Sequence, residues 1–415
     1  MGTGKGEKRR CRFCGTPLAD TFVDLGVSPL ANSYLKVTEL DRMEPFFPLH
    51  TFVCAECFLV QLPEQSRPQD IFSQYAYFSS YSDSWLKHAS DFTAGAVERF
   101  ALNSNSRVVE IGSNDGYLLR FFKEAGIPVL GIEPAANVAA AAREQGIETM
   151  VRFFDSRLAG ELAAAGEKAD LLIGNNVLAH IPGTNDLLEG MKKLLKPGGV
   201  ISMEFPHLLS LIEQNQFDTI YHEHYSYYSL ATTARIFGYH GLPLFDAELL
   251  ATHGGSLRIY AAHAEDERRR PSEKLQEILA VEKEKGLLEL ETYRFFDEKV
   301  KKVKREILRF LIKIKDEGKS MAGYGAPAKG NTLLNYCGIG TDFIDYTVDR
   351  SPHKQGLYLP GSRIPVWAPE KIFETKPDYL LILPWNLRDE ITGQMKGIRE
   401  WGGQFVVFIP QVEEF

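Results

Sequence analysis

The sequence predicts an α/β protein of three units: a Rossmann-like core between a small cysteine-bearing N-terminal unit and a smaller, Rossmann-like C-terminal α/β unit. Three observations predict it. Two Cys-x-x-Cys pairs, Cys11/Cys14 and Cys54/Cys57, stand near the start of the chain. Short apolar runs alternate with helical segments from Val108 onward, the pattern of a parallel sheet covered on both faces. A second alternation starts at Met321, after a charged stretch almost free of Gly and Pro. The 415 residues suffice for two or three domains at about 100–200 residues each. The changes of pattern place the boundaries at 1–68, 69–265 and 266–415.

Within 1–68, Phe46–Val53 and Leu59–Leu62 read as short strands, and no long helix is expected. The aromatic, hydroxyl-rich segment from Tyr75 to Trp85 leads into an amphipathic helix ending near Phe100. In the core, strands are expected at Val108–Ile111, Val129–Ile132, Leu171–Ile173 and Val200–Glu204. Helices are expected at Tyr117–Glu124, Ala135–Gln145 and Asp186–Leu195. Pro197-Gly198-Gly199 is expected to stop the last of these and turn the chain into its strand. From Pro271 to about Glu317 the sequence reads as helix crossing between domains. Beyond it, strands are expected at Met321–Tyr324, Phe343–Val348, Tyr379–Leu383 and Phe405–Ile409, with a helix from Thr332.

Bulk properties narrow the function. Lys plus Arg number 47 against 55 Asp plus Glu, a formal charge of −8. A nucleic-acid polymer is therefore not an expected partner, since its binders carry a basic face. The one basic cluster, Lys301, Lys302, Lys304 and Arg305, reads as a solvated helix face. No run of about 18 apolar residues exists to span a membrane. The polar start, Met1 to Arg10, lacks the apolar stretch of a signal peptide, so a cytoplasmic enzyme is expected; its oligomeric state is left open by the sequence, with a monomer as one reading.

Each Cys-x-x-Cys pair suits a tight turn that aims two thiolates at one tetrahedral ion. Cys11, Cys14, Cys54 and Cys57 together supply four sulfurs, which leaves no open position, so the expected zinc is structural.

Glu110-Ile-Gly-Ser-Asn-Asp-Gly116 falls at a strand-to-helix turn, where backbone N–H groups are free for a ligand. A dinucleotide or S-adenosylmethionine can use such a turn. The Gly-x-Gly-x-x-Gly spacing of dinucleotide sites is missing. Glu133 ends the second strand, where an acid can hold both ribose hydroxyls of either ligand. Gly174-Asn-Asn-Val-Leu-Ala-His180 and Leu195-Lys-Pro-Gly-Gly199 complete a set that resembles the Rossmann-like S-adenosylmethionine-dependent methyltransferases. Asn114 departs from it, standing where that family often has glycine, but Asn tolerates a left-handed backbone. The resemblance implies that Gly112 and Gly116 shape the cofactor pocket and that Glu133 holds the ribose. It also places Asn176 beside the cofactor, with Phe154 and Asp155 flanking the adenine.

Tyr221-His222-Glu223-His224-Tyr225 packs two histidines, a carboxylate and two phenols into five residues, an unusual density of proton-transfer groups. A metal site or a plain polar loop are the other readings of the segment. Taken with the N-terminal cysteines and Gly323-Tyr-Gly-Ala-Pro-Ala-Lys-Gly-Asn-Thr332, it resembles the sugar C-methyltransferases over essentially the whole chain. That family acts on nucleotide-linked deoxysugars of antibiotics. The resemblance implies methylation of a dTDP-linked 4-keto-deoxysugar at C-3′, next to the ketone.

The chemistry agrees, because a carbon nucleophile requires removal of a C–H proton beside a carbonyl. A general base near pKa 7 points to His224 or His222. Tyr221 or a histidine can hold the developing enolate oxygen. Glu223 is expected to orient the base, and His180 to contact sugar or cofactor. Tyr75 is expected to reach the same cavity as part of a lid. Lys329 and Asn331, on the C-terminal turn, and Arg258 are candidates for the diphosphate, with His222 as a further sugar contact. Two rival readings remain at this point: an NAD-dependent sugar-nucleotide oxidoreductase, and a zinc-knuckle scaffold without activity.

Overall fold

A computed structural model describes residues 9–65 and 79–415, apart from the Tyr81 side chain. In the N-terminal unit, β1 (Asp20–Ser28) runs antiparallel to β2 (Phe47–Val53), and β2 to β3 (Val60–Gln61). β2 and β3 lie within the runs the sequence marks. β1 escapes sequence reading because Gly26 turns left-handed within it, at φ 73°, and its pairing with β2 slips at two places. Such bulges destroy the two-residue alternation that signals a strand.

The core strands are β4 (Val108–Ile111), β5 (Val129–Ile132), β6 (Thr149–Met150), β7 (Ala169–Asn175) and β8 (Leu195–Pro206). After them β9 (Ser226–Tyr227) leaves the sheet, and β10 (Leu244–Leu250) and β11 (Ser256–Ala261) return to it. The spatial order is β10-β11-β8-β7-β4-β5-β6. β4 through β8 are parallel, as the alternation implies, but β11 runs antiparallel to both β8 and β10. The expected break at Pro197-Gly198-Gly199 is instead a bulge inside β8. Leu195 already pairs with Ala169, Gly198 sits at φ 80°, and regular pairing resumes at Val200. A Cβ on Gly199 would lie 2.9 Å from the Ala169 carbonyl oxygen, so only glycine admits this approach.

Alternate residues serve opposite faces of this sheet. Val109 and Ile111 pack with the helices Ser156–Ala164 and Thr184–Leu194, while Val108, Leu171 and Ile173 pack under the helix Asp83–Arg99. Successive strands are laid out on one side of β4 and then on the other, so the ends of β4 and β7 border a crevice at the switch of strand order.

The C-terminal unit repeats this plan. β12 (Met321–Tyr324), β13 (Thr347–Val348), β14 (Val366–Trp367), β15 (Tyr379–Ile382) and β16 (Gln404–Val407) are parallel, and β17 (Glu413–Glu414) is antiparallel to β16. Their order is β14-β13-β12-β15-β16-β17. The expected strand Phe343–Val348 shrinks to the two residues of β13, and the expected helix begins at Ala328, just after Pro327. The amphipathic helix Phe296–Asp316 lays Phe296, Val300, Ile307 and Leu311 into one cluster with Phe22 of β1 and Leu381 of β15. The two terminal units therefore share a core. Among the described residues, no helix is long and apolar enough to cross a membrane.

Candidate functional site

The four N-terminal sulfurs converge. Cys11 and Cys57 lie 3.6 Å apart, Cys14 and Cys54 3.5 Å, and all four Sγ atoms fall within 4.8 Å of one another. Four thiolates at about 2.3 Å from one zinc stand about 3.8 Å from each other, so the donor set and spacing fit that ion. The two turns are built alike. In each, the residue after the second cysteine is left-handed, Gly15 at φ 77° and Phe58 at φ 58°, and donates its N–H to the first cysteine's carbonyl. Gln61 Nε2 donates to Cys11 Sγ at 3.2 Å and braces the ligand from outside.

At the end of β4 the chain turns through Gly112 (φ 65°), Asn114 (φ 49°) and Gly116 (φ 79°). A Cβ on Gly112 would meet Val177 Cγ1 at 2.3 Å, so this position is closed to any other residue. Asn114 takes the left-handed backbone that its residue type permits. Glu133 closes the turn by accepting the Asn114 N–H at 3.0 Å and the Ala135 N–H at 2.8 Å. Burial raises its pKa, and those two backbone hydrogen bonds oppose the rise. Glu110, wholly buried on β4, is pushed well above the carboxylate range by burial and by the nearby charges of Glu133 and Asp115.

Asp115 Oδ1, Asn175 Oδ1 and Asn176 Oδ1 are buried acceptors without a partner among the described residues. They cluster at the crevice between β4 and β7, where a ligand bearing an ammonium and hydroxyls would satisfy them. That is the donor pattern of S-adenosylmethionine. Asn114 Oδ1 and Asp115 Oδ2 also hold the entry to the helix Asp83–Arg99, accepting from Ser79 and Ser80. Tyr75 lies outside the described residues.

Two of the residues expected beside the adenine also have structural partners. Asp155 caps the helix Ser156–Ala164 by accepting the Leu158 N–H at 2.7 Å. Phe154 is buried against Gly190, where a Cβ would come within 2.9 Å of its ring. They follow β6 by several residues.

The segment Tyr221–Tyr225 is held from both sides. β9, directly after it, pairs with β3, and Tyr225 accepts the Leu62 N–H at 3.0 Å. The N-terminal sheet thus acquires its fourth strand from the residues directly after this segment. His222 points into that unit, with Nε2 against the Pro48 carbonyl at 3.2 Å and its ring edge-on to Phe47. Glu223 Oε1 accepts the Asn32 amide at 2.6 Å.

His224 points the other way. Its Nδ1 lies 2.8 Å from the Thr219 carbonyl. A carbonyl only accepts, so Nδ1 carries the hydrogen and Nε2 keeps the lone pair. The orienting group the sequence assigns to Glu223 is therefore a backbone carbonyl, which no residue-type pattern reveals. Tyr221 lies with its ring 4.0 Å from that of His224, and His180 stands edge-on at 4.7 Å. Burial first, then His180, hold the His224 pKa well below the usual imidazole value; burial brings His180 to about 4. Both rings are neutral at pH 7.

The C-terminal unit contributes Lys329, whose Nζ donates to Asn386 at 2.9 Å and sits over the Trp385 ring. Burial lowers its pKa, and Asp218 opposes this. Its charge is felt at His224 and at His253. Asn331 spends its amide on the Ala31 carbonyl, at 2.6 Å, so it joins units before it meets any ligand. Arg258, a candidate for the diphosphate, is buried in an ion pair with Glu204 at 2.5 Å and lies over the Phe92 ring. Burial works against the Glu204 charge, but His88 and Arg258 bring its pKa down to about 2.

Sequence reasoning missed Thr219, Asp218, Trp385 and His253. His253 is left-handed (φ 55°), beside Asn176 Nδ2 at 3.2 Å and the Trp85 ring, and burial followed by the Lys329 charge lowers its pKa to about 4. Its only sequence signal was the following Gly254-Gly255 pair.

Comparison with known proteins assigns the units. The model described as "Putative zinc binding domain" matches residues 11–72, "Methyltransferase domain" matches 85–245, and "C-methyltransferase C-terminal domain" matches 251–410. The chain is 39% identical to C-methyltransferase NovU of Streptomyces niveus over 402 residues, covering 97% of this chain and 95% of that one. A ubiquinone biosynthesis O-methyltransferase of Chelativorans sp. (strain BNC1) is 29% identical over 96 residues, 23% of this chain and 38% of the relative. Among solved structures, magnesium protoporphyrin IX methyltransferase of Synechocystis PCC 6803 with bound S-adenosylhomocysteine is 18% identical. That match has a TM-score of 0.35 over 43% of this chain and 83% of the other.

Proposed function

Since the chain belongs to the C-methyltransferase family, as an S-adenosylmethionine-dependent enzyme with a zinc-binding N-terminal domain, we propose that its acceptor is a dTDP-linked 4-keto-deoxysugar. The methyl group goes to C-3′, beside the ketone, in the formation of an antibiotic deoxysugar of the D-tetronitrose type. The observation that carries this reading is the commitment of His224 Nδ1 to the Thr219 carbonyl, which leaves Nε2 as a base beside Tyr221 and His180.

Gly112, Gly116, Glu133, Asn175 and Asn176 line the crevice that takes the cofactor. S-adenosylmethionine supplies an electrophilic methyl group. His224 Nε2 takes the C-3′ proton, and the electron pair of that C–H bond moves onto the C-4′ ketone oxygen. The Tyr221 hydroxyl, with a pKa ordinarily near 10, holds that oxygen as charge develops on it. The resulting carbon nucleophile would take that methyl group as its bond to sulfur breaks, so that S-adenosylhomocysteine leaves and the C-4′ ketone re-forms. Lys329 is the cation for the diphosphate in a chain of net charge −8. The negative charge of the bound nucleotide lifts the His224 pKa from its depressed value towards the range that suits a base.

The test is exchange of the C-3′ proton in heavy water, with S-adenosylhomocysteine in place of the methyl donor. The wild-type enzyme exchanges it, and His224→Asn slows exchange by about 10²–10⁴-fold. Methyl transfer to oxygen or nitrogen, or no turnover on dTDP-linked keto-sugars, overturns the acceptor assignment. Normal exchange in His224→Asn with loss in Tyr221→Phe reverses the two roles.

A further inference from the structure

The carbonyl that fixes the His224 tautomer belongs to a residue whose two neighbours are both held by the C-terminal unit. Thr219 ends a single 3-10 turn, Phe217–Thr219. On one side of it, the fully buried Asp218 accepts the Trp385 indole N–H at 2.7 Å. On the other, the Ile220 carbonyl accepts the Thr332 hydroxyl at 3.1 Å. Between them the Thr219 carbonyl takes the His224 Nδ1–H at 2.8 Å. Both donors are themselves buried, Trp385 on the turn after β15 and Thr332 in the helix Ala328–Cys337. The ring of Trp385 is wedged over Gly254, where any Cβ would collide with it.

We propose that Trp385 and Thr332 are positioning residues for the base: the C-terminal unit sets the direction of the Thr219 carbonyl and through it the tautomer and aim of His224. The Thr219–Ile220 peptide plane is rigid and its N–H is tied to the Phe217 carbonyl at 3.0 Å within the turn, so the two contacts that hold the turn from the C-terminal unit set how its carbonyl is aimed. An imidazole whose Nδ1–H loses its acceptor is free to place the hydrogen on Nε2, and that tautomer has no lone pair facing the substrate. This rests on His224 being the base, as proposed above.

The test uses the full chain, labelled with nitrogen-15 histidine, and compares the wild type with Trp385→Phe and Thr332→Val. Phe keeps an aromatic ring and loses only the donor, and Val keeps the shape of Thr. His224 signals are assigned by their loss in His224→Asn. In the wild type at pH 7.5 His224 shows one neutral form, hydrogen on Nδ1. In each variant a mixture of tautomers is expected, with kcat about ten- to a hundredfold lower and S-adenosylmethionine affinity unchanged. An unaltered tautomer in both variants overturns the proposal, as does a kcat loss that merely follows lost cofactor binding. If Trp385→Phe fails to fold, Thr332→Val decides; if neither folds, the contacts are general packing and the positioning role falls. The tautomer is read without substrate, so failure of the acceptor assignment leaves this result standing.

Discussion

Glu133 accepts the backbone N–H of Asn114 at 3.0 Å, tying the end of β5 to the glycine-rich turn after β4. The C-terminal unit repeats the arrangement, where Asp349, just past β13, accepts the Ala326 N–H at 2.8 Å across the turn after β12. In both units an acid at the end of the second strand staples the turn after the first. Removing Glu133 therefore does two things. Glu133→Ala should weaken S-adenosylmethionine binding by about tenfold to a hundredfold, the worth of about 1.5–3 kcal/mol for hydrogen bonds to a charged group. It should also lower Tm, because two backbone donors lose their acceptor. Glu133→Gln, which keeps one acceptor oxygen, should fall between. Titration calorimetry with S-adenosylmethionine measures this, and unchanged affinity in Glu133→Ala removes the residue from the site.

The metal centre should govern turnover more than its distance from the chemistry suggests. The cysteine turn ending at Cys57 leads into β3, and β3 pairs with β9 beside His224. One zinc per chain is expected, and Cys54→Ser should lower both metal content and Tm, since binding and folding are coupled. Under mild chelation kcat should fall before cofactor affinity does. Metal analysis well below one equivalent in folded protein contradicts the assignment.

Arg258→Met should cost stability and leave the acceptor KM alone. It strands the Glu204 carboxylate, fully buried, without its guanidinium partner. Breaking such a pair costs about 3–5 kcal/mol. Denaturant unfolding measures the loss, and a raised KM with full stability would return Arg258 to the substrate site.

Acid should destabilise the fold between about pH 6.5 and 4. His180 and His253 are held at about 4, first by burial, and His224 is also depressed by burial. In that window the unfolded chain binds more protons than the folded one, so stability rises with pH, by at most about 1.4 kcal/mol per unit for each group. Asp218, pushed up to about 6 by burial, works in the opposite direction, as do Glu110 and Glu133, both raised by burial; His50, His222 and His240, also lowered by burial, add to the histidine side and keep the sign. Calorimetric Tm values at pH 7 and pH 5 should show the drop, and His253→Asn should reduce it. A Tm that stays flat from pH 7 to pH 5 would contradict this account.

Much of the fold was legible because its signals are local. β4, β5 and β12 occupy the residues their apolar runs mark, and the helix Asp83–Arg99 ends within a residue of its expected place. The paired cysteines announced a tetrahedral sulfur site by spacing alone. Strands whose pattern is broken by glycine were not legible: β1 with Gly26, and the start of β8 across Gly198.

Within the site, the residue types legible from the sequence are the acid after β5, the turn at Gly112, and two histidines with two tyrosines in five residues. Which groups each of them meets follows from the tertiary packing. His222 and His224 are two residues apart, yet one is spent on the Pro48 carbonyl and the other is aimed by Thr219. Arg258 has the charge for a phosphate, but Glu204 on the neighbouring strand claims it. The reason is physical. A residue's type fixes which bonds it can make, while many of its partners come from distant chain segments, such as Trp385 for Asp218 and Asn32 for Glu223. Those pairings exist only once the three sheets have packed.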